Sequence, residues 1–153
     1  MKIGTVFIWK NYTHLINEEK KDIYCVYFGD SGPLVDPEFI IFHKLTGQTH
    51  YYENGGERQH KKHYRFTKIE YQKLKKDSIF DFEFPEETIY KTDFEKADKE
   101  ELFILKEDKI RMLYNHIKET YCRYTHQIKL RIHDNLNNDG ITGLPQPKRK
   151  HRT

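Results

Sequence analysis

The chain predicts an α+β fold: a small, strongly curled antiparallel sheet or barrel with a long C-terminal helix packed against it. Short β-rich runs punctuated by turn residues fill the first half of the sequence. Beyond Lys106 the apolar period changes to spacings of three and four. A length of 153 residues suits one domain with a single core.

Gly4-Thr5-Val6-Phe7-Ile8-Trp9 reads as the first strand, and residues 10–19 as a polar loop or hairpin end. Lys20-Lys21-Asp22 then leads into a second strand, Ile23-Tyr24-Cys25-Val26-Tyr27-Phe28, closed by Gly29, Gly32 and Pro33. Residues 39–48 form the central strand. Phe39-Ile40-Ile41-Phe42 is a continuous apolar run, which fits a strand buried on both faces. The run passes into Thr46, Gly47 and Gln48, which offer a hydroxyl, a close-approach backbone and an amide. Residues 49–53 either extend this strand or open another, and Asn54-Gly55-Gly56 marks a turn. His63-Tyr64-Arg65-Phe66-Thr67 reads as a short strand, and residues 68–75 as a helical turn. Residues 77–84 alternate as a half-buried strand, with Ile79 facing away from Phe80, Phe82 and Phe84, and stop at Pro85. The acidic stretch that follows is expected to skirt the surface. Ile110, Leu113, Ile117, Tyr121, Tyr124 and Ile128 lie on one stripe and predict a single helix of five or more turns. It is expected to end before Asn135. Residues 1–134 are therefore read as one barrel-plus-helix domain, and 135–153 as a flexible basic tail.

Charge is nearly balanced, with 27 Lys and Arg against 24 Asp and Glu, but it is segregated. Residues 57–76 hold eight Lys or Arg against two Glu, and residues 81–101 hold nine acids against three Lys. Any nucleic-acid contact should thus be one-sided. In the basic block Arg58, Lys61, Lys62 and Arg65 are interleaved with Tyr64 and Phe66. That pattern grips phosphates while rings stack on bases, or else places core aromatics among solvated cations. Cys25 reads as a buried structural thiol, and no redox spacing joins it to Cys122. No leader and no apolar run near the ~20 residues of a membrane span is visible, so a cytoplasmic, soluble protein is expected.

Several chemistries are disfavoured. In residues 135–146 a calcium loop with Gly140 sixth would need acids where Asn135 and Gln146 stand. His60 and His63 have a workable metal spacing, but Lys61, Lys62 and Arg65 repel a cation, so no metal is expected. No phosphate-binding Gly-rich loop or nucleophile elbow is present in sequence order, and no cofactor is expected.

In order and hydrophobic pattern, residues 3–120 resemble the MazF/PemK-type toxins of the CcdB-like barrel superfamily. Gly4-Thr5-Val6-Phe7-Ile8-Trp9 is similar to the family's opening strand. The basic entry at Lys20 and Lys21 resembles the approach to its second strand, and Thr46-Gly47-Gln48 the end of its third. Residues 74–81 resemble a later Ser-hydrophobic-Asp strand, and the helix after Leu105 the closing helix. The resemblance implies an SH3-like barrel, metal-independent cleavage of single-stranded RNA, an antitoxin protein as partner, and a homodimer. Thr46 matches the family's strand-end Thr. Lys20 or Lys21 stands where the family has Arg, and the usual Arg-Pro pair is missing.

Cleavage through the ribose 2′-OH needs a base, an acid and positive charge on the phosphate. Thr46 and Lys21 are the candidates at the phosphate, with Lys20 beside them. His43 and His50 are the nearest acid–base candidates. His50, at an even offset from Thr46, shares its face if the strand runs unbroken through Gly47. The alternative reading is a non-catalytic module binding nucleic acid or protein on the same barrel. A third is a protein poison whose C-terminal helix engages an enzyme.

Overall fold

The computed structural model describes residues 1–13 and 20–149. The first three strands are β1 (Thr5–Thr13), β2 (Lys20–Asp30) and β3 (Phe39–Leu45). A 3-10 turn at Thr49–Tyr52 leads to β4 (His63–Phe66), β5 (Ser78–Asp81) and β6 (Glu87–Tyr90). A short helix, α1 (Lys91–Lys96), precedes β7 (Lys99–Ile104). Two helices, α2 (Glu107–Ile117) and α3 (His126–Asn138), complete the fold.

Period-two alternation gives the main sheet two apolar faces. Val6, Val26, Phe28, Ile41 and Leu45 point to the larger core, where Ile110, Leu113 and Ile117 of α2 meet Ile132 and Leu136 of α3. Phe7, Trp9, Tyr27 and Phe42 point the other way, onto Phe94 of α1. Phe94 packs edge-on to Phe7 and is stacked with Tyr27, both ring pairs within 6 Å.

The α+β class holds, but the expected closure does not. The five-stranded antiparallel sheet is open, in the order β6-β3-β2-β1-β7. β4 and β5 form a separate two-stranded sheet, joined to the end of β3 by one isolated bridge among the described residues, Thr46–Ile79. One bridge cannot close a cylinder, because β6 and β7 each keep an unpaired edge. Both edge strands, and α1, arise in the acidic segment expected to skirt the surface. β5 is also shorter than predicted, and its four residues are all buried. Phe84, expected on the same face as Phe80, is 38% exposed beneath the Arg58 guanidinium.

The single long helix is also corrected. α2 ends at Ile117, and α3 begins after Thr125, whose side chain accepts from the Ile128 N–H. The linker turns Tyr124 inward, where it is buried and stacked on His43. Buried Lys129 donates through Nζ to the Glu119 carbonyl. The boundary expected at residue 134 falls inside α3, where Asn135 and Leu136 are buried. Further on, Ile141 is buried, and Lys148 donates its N–H to the Lys118 carbonyl and pairs with Glu119. The loop expected over residues 10–19 and the basic cluster at 148–152 fall partly outside the described residues. No described helix is long and apolar enough to cross a membrane.

Candidate functional site

The end of β3, the start of β2 and the segment after β5 enclose an open hollow of about 740 Å³. Lys21 and Thr46 both line it, with Lys44, Gln48, Lys76 and Glu87.

Each side chain is placed by a local feature. β1 is bulged between Trp9 and Tyr12, and Asn11 there has φ 56°, a left-handed conformation that Asn tolerates. Its N–H is held by the Asp22 carboxylate at 3.0 Å, which fixes the strand carrying Lys21. The bridge to Ile79 secures Thr46, with N–H to carbonyl distances of 3.0 and 2.8 Å in the two directions. The Thr46 hydroxyl accepts from the Gln48 N–H at 3.2 Å, so hydroxyl and amide sit on one turn. Lys44 Nζ lies 3.0 Å from Glu87 and over the Tyr12 ring. Lys76 rests against Gly47.

Among the described residues, three lysines therefore meet two carboxylates in the hollow. Asp22 is engaged by Asn11 and Glu87 by Lys44, while Lys21 and Lys76 join no ion pair among the described residues. The floor includes His43, buried and stacked at 3.8 Å on Phe80. Its Nδ1 shares a hydrogen bond with the Tyr124 hydroxyl. Burial pushes its pKa down to about 3, against the opposing pull of Asp81. His43 is a neutral interior ring rather than an acid at neutral pH.

His50 does not join the hollow. The strand stops before Gly47, and the 3-10 turn carries His50 outward, where it is exposed and packs on Tyr51. Lys20 is exposed at the start of β2 and does not line the hollow. In the first half of the basic block, Arg58, Lys61 and Arg65 are paired with acids. Arg58 Nε donates at 2.7 Å to the fully buried Asp81 carboxylate, which also accepts from Tyr52. Burial raises the Tyr52 pKa, reinforced by that bond. Arg65 lies between Asp77 and Glu53, and Lys61 faces Glu83. The Lys62 side chain is exposed. Tyr64 accepts from Lys109 at 2.7 Å and packs on Phe66.

Sequence reasoning missed Lys44, Lys76 and Glu87. Lys44 was legible as the residue two before Thr46 on a strand, whereas Lys76 and Glu87 reach the hollow only through tertiary folding. His60 is exposed, and His63 Nδ1 bonds the Lys61 carbonyl. Among the described residues no three His, Cys, Asp or Glu side chains gather in a metal-binding group. What the hollow offers is a hydroxyl, an amide and ammonium groups, a set suited to a phosphate oxygen. No protein-family model matches the chain, and no curated protein matches it significantly in sequence.

Proposed function

We propose that this chain is a MazF/PemK-like endoribonuclease that cuts single-stranded RNA with lysine ammonium groups at the scissile phosphate and no metal ion. The observation that supports it is the meeting of Lys21 and Thr46 on one open hollow, with Lys21 and Lys76 in no ion pair among the described residues. In this reading Thr46 donates to a non-bridging phosphate oxygen while Lys21 and Lys76 offset its charge. Glu87 takes the proton of the ribose 2′-OH, and the 2′-oxygen attacks the adjacent phosphorus. The bond to the 5′-oxygen breaks, and that oxygen leaves with a proton from Lys44. The products are a 2′,3′-cyclic phosphate and a free 5′-hydroxyl. The reading also includes a homodimer, an antitoxin protein as partner and a cytoplasmic setting.

A second reading is binding without cleavage. It is favoured by the lack, among the described residues, of an acid–base imidazole in the hollow, since His43 is held neutral and His50 does not line it.

Incubating the protein with a long single-stranded RNA in EDTA separates the two. Cleavage should persist and fall at least ~10²-fold in Thr46→Ala, Lys21→Ala and Glu87→Gln. Binding without cleavage would establish the second reading. Neither binding nor cleavage would overturn both.

A further inference from the structure

A second hollow of about 320 Å³ lies beside the first and shares Asp22, Ile23, Tyr24 and Lys76 with it. Its own contributions are Ile8 and Lys75. Because β3, β2 and β1 are consecutive in the sheet, the joined hollows run across the strands from Thr46 over Tyr24 to Ile8. Two inter-strand spacings make that path about 10 Å, more than one phosphate group spans.

Lys76 stands at the junction of the two spaces. Lys75 is exposed beyond it and joins no ion pair among the described residues. Tyr24 is half-buried against the larger core, and its hydroxyl accepts the Lys75 N–H at 3.0 Å. An aromatic ring held by a backbone bond, in a hollow that two lysines also line, suits a base and its flanking phosphates. The contrast with Arg58 and Arg65 is informative, because those cations are already committed to Asp81, Asp77 and Glu53.

We propose that the second hollow is a further nucleotide station, in which Lys75 holds the neighbouring phosphate and Tyr24 carries a base. This rests on the reading of the first hollow as a phosphate site. The ligand that fits is then a single-stranded oligonucleotide with at least two consecutive phosphates, rather than a mononucleotide or a free phosphate. The strand crosses the sheet, passing Lys76 between its two phosphates.

The probes are mixed-sequence 2′-O-methyl RNAs, which bind without being cut: a dinucleotide with one internal phosphate and a trinucleotide with two. With the full chain the trinucleotide should bind about tenfold more tightly, from one added stacked base and phosphate contact. Its salt slope should be steeper by about 0.7. Lys75→Ala should remove the added salt slope and cut the gain to what base stacking alone supplies, leaving dinucleotide affinity unchanged, whereas Lys21→Ala should weaken both ligands. Equal binding of the two RNAs, or an added salt slope that survives Lys75→Ala, overturns the second station. If Lys21→Ala still weakens both, the first station stands alone. If neither RNA binds, both readings fail.

Discussion

At Gly47 the missing side chain is what lets Lys76 lie across the end of β3. A Cβ there would overlap Lys76 Cε and stand 2.7 Å from its Nζ. The obstacle is the far end of a flexible chain rather than backbone, so Gly47→Ala should leave stability within about 0.5 kcal/mol of the parent. It should nevertheless displace the ammonium group and weaken RNA binding by about three- to tenfold, read by fluorescence anisotropy. His43 illustrates a different control. Burial lowers its pKa to about 3 from an ordinary 6.5, so the unfolded chain binds a proton in this range that the folded chain refuses. Its contribution is complete above about pH 6.5 and is lost as pH falls toward about 3. Melting temperature should therefore drop across that window, and His43→Gln should flatten this part of the profile. A profile unchanged by the substitution would show that other groups set the acid limit.

Among the elements, the helical stripe was legible in its residues and misleading in its continuity. Ile110, Leu113 and Ile117 share one face of α2 as predicted, whereas Tyr124 lies outside both helices and Ile128 belongs to α3, yet no Gly or Pro between Ile117 and Thr125 announces a break. The break is tertiary: Tyr124 leaves the helical path to reach His43, and Thr125 restarts the helix as its cap. Thr125→Ala should cost about 1 kcal/mol in chemical denaturation, without changing RNA binding. The edge strands were missed for a related reason. In β7 the apolar residues are thinned by the exposed Glu100 and Glu101, and β6 is four residues long with Thr88 and Tyr90 exposed, so period and composition pointed to surface coil. Only pairing with β3 and β1 makes them strands.

Across the whole molecule, the distribution of paired and unpaired cations matters more than their number. Arg65 is the more conspicuous residue in sequence, but Asp77 and Glu53 already neutralise it. Arg65→Ala should leave the salt slope of RNA binding almost unchanged, whereas a combined Lys21→Ala, Lys76→Ala change should reduce it by about 1.4. Equal slopes in titrations of both variants would move the interface back toward Arg65 and the cations around it. From the sequence alone came the α+β class and the two-faced central strands, which follow from period, turn chemistry and residue type, all properties of near neighbours along the chain. The pairing of a strand-end Thr46 with a basic approach at Lys21 came only through the family resemblance. The open sheet, the divided helix, the outward turn of His50 and the arrival of Lys76 and Glu87 beside Thr46 were decided by tertiary structure. They depend on which distant charges and rings meet, and a linear pattern carries no term for that.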